Sequence, residues 1–278
     1  MNVYLSPAKL NLFLHVTGRR SDGYHELQTC FQFLDFADEL FISVRSDGQL
    51  KRLRALTDVS ECQDLCLKAA RLLQERLQVR SGADIKVDKR IPMGAGLGGG
   101  SSNAATVLMA LNKLWQLNLS RQELCRLGLD IGADVPIFIH GNAAWAEGVG
   151  EQFVDIDIVE PCYVIVVPPV TVSTVRVFSS PDLTRDSPRI RIRDFLNGQV
   201  RNDLQPVVCR MFPQVAESLE WLSGFGNARM TGTGACLFLP VSDAKLGKDI
   251  LRQLPSGNAG FVAHGLNRHP LADLLPDA

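Results

Sequence analysis

The chain has 278 residues, 46% hydrophobic and 21% charged, which is enough for two ordinary domains with real cores in a soluble globular protein. A formal net charge of −1 and the absence of long basic runs exclude nucleic acid as a main partner. Apolar runs such as residues 162–170 are too short for a bilayer, which takes about 20 residues, so no membrane partner is expected.

The N-terminal stretch carries Lys9 and Asn11 among its apolar residues and does not read as a signal peptide. Leu10, Leu12, Leu14 and Val16 alternate with Asn11, Phe13 and His15, which predicts a strand over 10–16 with one buried face and His15 on the surface. A polar, charged loop follows at 18–23, then two strands at 28–34 and 40–44. Residues 63–77 read as a helix with Leu65, Ala69, Leu72, Leu73 and Leu77 on one face. Residues 85–89 alternate as a half-buried strand. Ser101, Ser102 and Asn103 supply N-cap chemistry for a helix carrying Ala104, Ala105, Val107, Leu108, Ala110, Leu111, Leu114 and Trp115. Ser120 and Glu123 form a capping box. A turn at 132–136 leads into the apolar residues 137–139, and a strand returns at 143–147.

A second block starts near Pro161, with a buried strand at 163–167 and a short helix at 172–178. Residues 184–199 are basic, polar and loop-rich. A helix at 213–222, a glycine turn at 229–235, a strand at 236–241, a helix at 243–254 and a strand at 261–264 complete the chain. Strands and helices without strict βαβα alternation indicate an α+β fold of two lobes, residues 1–160 and 161–278, with the ligand site in the cleft between them. The seven cysteines are scattered and odd in number, which points to reduced thiols in a cytoplasmic protein. Cys62 and Cys66 have no second pair or histidine cluster near them, so a zinc site is not expected.

The most informative stretch is the glycine tract from Pro92 through Met93, Gly94, Ala95, Gly96, Leu97, Gly98, Gly99 and Gly100 to Ser101 and Ser102. It lies between the strand at 85–89 and a helix. Bare backbone N–H groups and the positive end of a helix dipole make a seat for phosphate. A G-x-G-x-x-G match is present, but the acidic residue that a dinucleotide site needs about 20 positions on is missing. No lysine follows Gly99 or Gly100, which excludes a Walker A loop.

Two charged residues stand out for phosphoryl chemistry, which needs a group to position or deprotonate the nucleophile and cations to balance charge. From spacing alone, Asp134 reads as a turn or helix-capping aspartate before Pro136, and Lys9 as a strand-end lysine facing solvent.

The string Pro-x-Gly-x-Gly-Leu-Gly-x-x-Ser-Ser-x-Ala at 92–104 resembles the phosphate loop of the GHMP small-molecule kinases, which include galacto-, homoserine and mevalonate kinases. The segments 6–27, 132–138, 146–151 and 231–236 extend the resemblance over nearly the whole chain. It implies a two-lobed kinase using ATP, with Mg2+ to neutralise the transferred charge. Its catalytic pair falls on Lys9 and Asp134. Asp134 takes the proton of the acceptor hydroxyl, and Lys9 stabilises that carboxylate and the transition-state charge. ATP contacts fall on residues 92–102, Lys89 and Leu65; the family carries Asn-Leu where this chain has Asp64-Leu65. Metal ligands are not assigned.

The Asp22-Gly23-Tyr24-His25 segment narrows the resemblance to members whose acceptor carries cytidine. The implied acceptor is the 2-hydroxyl of a methylerythritol joined to cytidine diphosphate, on the non-mevalonate route to isoprenoid precursors. Tyr24, Phe31 and Phe178 offer aromatic faces for the base and His25 its edge contacts. Asn11 and Thr174 serve the sugar-alcohol and phosphate part. The implied partners are this substrate and ATP, with the chain a monomer or weak homodimer. Competing readings are a homoserine- or mevalonate-type kinase, which has no base to stack, and a non-catalytic binding protein, which would have lost Lys9 or Asp134. His140, His264 and His269 receive no role, and the turn at 231–235 is left between the phosphates, the methylerythritol and a plain hairpin.

Overall fold

The computed structural model describes residues 1–54, 60–198 and 200–275. The chain opens with two long paired strands, β1 (Asn2–Arg19) and β2 (His25–Arg45), followed by β3 (Leu50–Arg52), α1 (Leu65–Leu77) and β4 (Gly82–Asp88). A helical layer comes next: α2 (Gly99–Leu114), α3 (Arg121–Ile131) and α4 (Val135–His140). The hairpin β5 (Ala144–Glu147) and β6 (Gln152–Asp155) leads to β7 (Cys162–Val167). Four short helices follow, α5 (Thr174–Phe178), α6 (Ile192–Leu196), α7 (Gln205–Met211) and α8 (Pro213–Ser223). The elements β8 (Arg229–Met230), β9 (Leu237–Val241), α9 (Ala244–Leu251) and β10 (Ala259–Leu266) finish the sheet.

The ten strands form one sheet with the path β3-β4-β2-β10-β7-β9-β8, while β1 and β5 pair with β2. β2 is long enough to pair with four neighbours, which is why the expected strands at 28–34 and 40–44 are one strand. Its residues 39–45 meet β4, 29–31 meet β5, and 33–34 meet β10. The sheet therefore runs without a break from the first lobe into the second. Residues after β10 return to the first lobe, where Leu271, Leu274 and Leu275 join the core of α1, α2 and α3.

β1 departs most from its expected form. Residues 6–16 are all buried, so this strand has two covered faces instead of one. Leu10 and Phe13 enter the core beneath the sheet centre, and Leu14 and Val16 that of the second lobe. His15, expected at the surface, is 2% exposed, and neither ring nitrogen has a hydrogen-bond partner. Its ring meets Phe13 edge-on, and burial lowers its pKa against the pull of Asp203. The alternating pattern was read correctly as a strand, but period 2 cannot tell that a polar face is covered by a second layer.

Caps also differ from expectation. The N-cap of α2 is Gly98 in the left-handed region, φ +71, with no side-chain cap; Ser101, Ser102 and Asn103 lie inside the helix. α1 begins at Leu65 with Asp64 accepting from the N–H of Cys66 and Leu67. The capping box of α3 is present in full. The apolar residues 137–139 form a helix, α4, and the basic stretch 184–199 contains α6, with Gln199 outside the described residues. All seven cysteines are free thiols. Among the described residues no helix is long and apolar enough to cross a membrane.

Candidate active site

Three cavities join end to end along the boundary of the two lobes. The first, about 410 Å³, is a groove lined by the glycine loop, Asp64, Leu65, Lys89, Thr174 and Thr233. Gly94, Gly96 and Gly98 all adopt positive φ, at +64°, +79° and +71°. Alternating residues in this region turn successive N–H groups toward one side, an arrangement that binds anions. Because no side chain caps α2, its first N–H groups stay available beside the groove. Glycine is also required by packing. A Cβ on Gly96 would lie 2.5 Å from the Thr231 carbonyl, and one on Gly98 would lie 2.9 Å from Phe138 Cζ and 3.0 Å from Lys9 Cε.

Behind the loop, a buried polar network holds it in place. Asp38, fully buried, accepts from the backbone N–H of Arg90 (2.7 Å) and Ile91 (2.9 Å), from Lys89 Nζ (2.5 Å) and from Asn103 Nδ2 (2.9 Å). Asn103 also donates to Ser6 Oγ, which donates to Ser102 Oγ at 2.8 Å. Ser102, expected to face the nucleotide, is thus a correction: its hydroxyl is 0% exposed and committed to this brace. Lys89 lines the groove while paired to Asp38. Asp64 lines it too, paired with Arg52 at 3.1 Å. Of the tract, Pro92, Met93, Gly94, Ala95, Gly96, Leu97, Gly98, Gly99, Gly100 and Ser101 all border the groove, as does Leu65.

The second cavity, about 260 Å³, lies at the seam. Lys9 Nζ stands 3.2 Å from Asp134 Oδ2, with the lysine 2% and the aspartate 39% exposed. This overturns the solvent-facing reading of Lys9. The Lys9 N–H donates to the Leu97 carbonyl at 3.0 Å, tying the strand to the glycine loop. Lys9 Nζ also donates to Asn11 Oδ1, and Asn11 Nδ2 donates to Thr29 Oγ1 at 2.9 Å. Asp134 sits directly before α4, whose C-terminal carbonyls at Ile139 and His140 accept from Arg121 Nη1 at 2.7 and 3.1 Å. The same guanidinium donates to the Ala272 carbonyl at 2.9 Å. Phe31, expected as a base-stacking face, is 2% exposed, with its ring centroid 5.4 Å from Lys9 Nζ. It walls this central cavity and does not line the cleft of Tyr24 and His25, because its strand runs inward toward the lysine.

The third cavity, about 580 Å³, is lined by Tyr24, His25, Val175, Phe178 and Arg185 among others. Tyr24 is 63% exposed, and the rings of His25 and Phe178 lie 5.0 Å apart. Burial, then Arg185 and Arg19, lowers the His25 pKa from its ordinary value. Thr174 borders all three cavities, and its hydroxyl lies 3.2 Å from that of Thr233. The turn at 231–235 packs on the glycine loop: Cys236 N donates to Ala95 O at 3.1 Å, and Gly232 and Thr233 line the central cavity.

Sequence reasoning missed Arg185, Asp38 and the wall residues Ala133 and Val149. Asp38 carried a readable signal, since an aspartate inside an apolar strand region demands partners. Arg185 carried none within a stretch that is basic throughout.

The chain matches the family model for the GHMP kinases N terminal domain over residues 64–142 and that for the GHMP kinases C terminal over residues 184–259. It is 51% identical over 272 residues to the 4-diphosphocytidyl-2-C-methyl-D-erythritol kinase of Thiobacillus denitrificans, covering 98% of each chain. It is 52% identical over 270 residues to the enzyme of that name from Pseudomonas aeruginosa, covering 96% of each. The crystal structure of a 4-(cytidine 5'-diphospho)-2C-methyl-D-erythritol kinase superposes with a TM-score of 0.83 at 30% identity, over 95% of this chain and 99% of that one. A braced glycine loop, a seam holding Lys9 and Asp134, and relatives matched end to end agree: the chain is a small-molecule kinase and belongs to the GHMP kinase family, with the 4-diphosphocytidyl-2-C-methyl-D-erythritol kinases.

Proposed function

We propose that this chain transfers the γ-phosphoryl group of ATP to the 2-hydroxyl of 4-diphosphocytidyl-2-C-methyl-D-erythritol, a step toward isoprenoid precursors by the non-mevalonate route. The observation that carries this reading is the single trough formed by the three cavities, with Lys9 and Asp134 at its middle and shared walls at Thr174. ATP enters from the groove end, its phosphates over the N–H groups of the glycine loop and α2 and its base toward Leu65. The cytidine lies at the other end, against Tyr24 and Phe178. The acceptor hydroxyl then meets the γ-phosphate at the seam, where holding both in line supplies most of the rate gain.

As the new O–P bond forms and the bond to ADP breaks, Asp134 takes the hydroxyl proton. Lys9 is a buried cation fixed by Asp134 and Asn11, so its charge acts in a water-poor setting and costs no reorganisation. Asn11 and Thr174 hold the acceptor's sugar-alcohol and phosphate part. Mg2+ fits as the nucleotide's own ion. Among the described residues no cluster of acidic, histidine or cysteine side chains could cage a metal, while Asp134 and Ser101 border both the groove and the seam. Ser101 would hold Mg2+ together with the phosphates, and the ion would neutralise the phosphoryl charge when bound. The free thiols fit a cytoplasmic enzyme, acting as a monomer or weak homodimer.

ADP release is the test, measured with ATP and Mg2+ on the full cytidine substrate, on methylerythritol phosphate without cytidine, and on homoserine and mevalonate. Turnover confined to the cytidine substrate is expected. Turnover with homoserine or mevalonate overturns the substrate while keeping the chemistry at Lys9 and Asp134.

A further inference from the structure

His25 stands opposite Arg19 in the pairing of β1 with β2, and Arg185 reaches it from the segment after α5. Arg185 Nε donates to His25 Nε2 at 3.1 Å. The remaining guanidinium nitrogens are spent on main-chain carbonyls: Nη2 on Phe178 (2.9 Å) and Ser180 (2.7 Å), Nη1 on Leu183 (3.1 Å). The arginine is therefore fixed to the same turn that presents Phe178, and it is aimed at one nitrogen of His25.

A guanidinium has donors and no acceptor. Nε2 of His25 must keep its lone pair, and a neutral imidazole with Nε2 bare carries its hydrogen on Nδ1. The charged groups around the ring favour the same state. Arg185 and Arg19 are cations. On the histidine's own strand Glu26 is turned to Arg20 (3.5 Å) and Arg189 (3.9 Å), and Asp22 in the preceding loop is paired with Arg20 at 2.9 Å. Protonating His25 would break the bond from Arg185 and place a third cation between two others.

We propose that Arg185 is a positioning residue for base specificity: it locks His25 as the neutral Nδ1–H tautomer, so that the cleft offers a hydrogen-bond donor to the N3 lone pair of cytosine and opposes the N3–H of uracil. This rests on the reading that the substrate carries cytidine. All three donor positions of the arginine are engaged within the protein, so it acts on the base through His25. It sets which way the histidine's single proton points.

The first experiment uses the ligand-free wild-type protein with 15N-labelled histidine. The 15N shifts of His25 are expected to show a protonated Nδ1 and a bare Nε2 at pH 7, with a titration midpoint below the ordinary one near 6.5. A His25 that is Nε2-protonated or cationic at pH 7 overturns the inference, whatever the substrate is. The second experiment compares wild type with Arg185→Met on the cytidine substrate and its uridine counterpart. In the variant, the preference for cytidine is expected to fall about tenfold or more, the worth of one opposed donor pair. Acidifying the variant is expected to restore part of that preference, because the imidazolium again carries a hydrogen on Nδ1, whereas the wild-type preference stays flat. A variant that keeps the full wild-type preference at pH 8, where its His25 is neutral, overturns the inference. Absence of turnover by wild type on the cytidine substrate overturns the functional reading, and the 15N shifts then still decide the tautomer.

Discussion

The two ends of the trough are built on opposite principles. At the phosphate end the glycine loop offers main chain to the ligand, and side chains work behind it: Asp38, Asn103, Ser6 and Ser102 are spent on bracing the loop, joined by Lys89 from the groove wall. At the base end the surface is side chain. Tyr24, His25, Phe178 and Arg185 converge from three separate segments, and Tyr24 is more than half exposed. A phosphate is small, charged and common to every nucleotide, so preset N–H groups suffice. A base has faces and an edge to distinguish, and that needs rings and polar atoms of chosen kind.

The largest effect is expected at the seam, which both ends require. Asp134→Ala should lower kcat about 10²- to 10⁴-fold with the fold intact, read by steady-state turnover beside a melting curve. A folded variant at wild-type rate would remove Asp134 from the chemistry. Next comes Gly98→Ala at the phosphate end. Its φ of +71° and its contacts with Phe138 and Lys9 make a methyl costly, about 1–2 kcal/mol for the backbone and about 1–3 for overpacking. It should depress the melting temperature and raise the KM for ATP, sparing that for the cytidine substrate.

Phe178→Ala does the reverse at the base end. Loss of one stacking face, worth about 1–3 kcal/mol, should raise the KM for the cytidine substrate about ten- to a hundredfold and leave ATP alone. If both KM values move together, the two ends are not separable. The smallest effect concerns the scaffold behind the seam. Burial against Phe33 and Phe138, with Arg121 nearby, lowers the His269 pKa to about 3. The unfolded chain takes up a proton near pH 6.5 that the folded one refuses, so this contribution is complete above 6.5 and falls by about 1.4 kcal/mol per pH unit below it, down to about 3. His269→Asn should flatten that slope in denaturant melts between pH 7 and 5, even if its stability at pH 7 is lower.

The same contrast governs what the sequence disclosed. The phosphate loop is one contiguous tract whose glycines are meaningful by type, and it was readable as such. Lys9 and Asp134 became a pair only through resemblance, because 125 positions separate a strand lysine from a turn aspartate and neither has a local signature. His15 was misplaced because alternation reports one covered face and β1 has two. Ser101 and Ser102 looked like caps because serine favours that position, yet Gly98 takes it and leaves the N–H groups bare. Arg185 was invisible, since its meaning lies in one bond to a residue 160 positions away.

The return of residues 268–275 to the first lobe sets a timetable for the enzyme's birth. Arg121 joins the end of α4 to the Ala272 carbonyl, and His269 N donates to the Gly141 carbonyl at 2.9 Å. On the ribosome, the platform that presents Asp134 emerges about 130 residues before the segment that clamps it, roughly 7–26 seconds earlier at about 5–20 residues per second. For most of that interval the turn that packs on the phosphate loop, joined to it from Cys236 N to Ala95 O, is also still to come, so loop and seam are completed late and in succession.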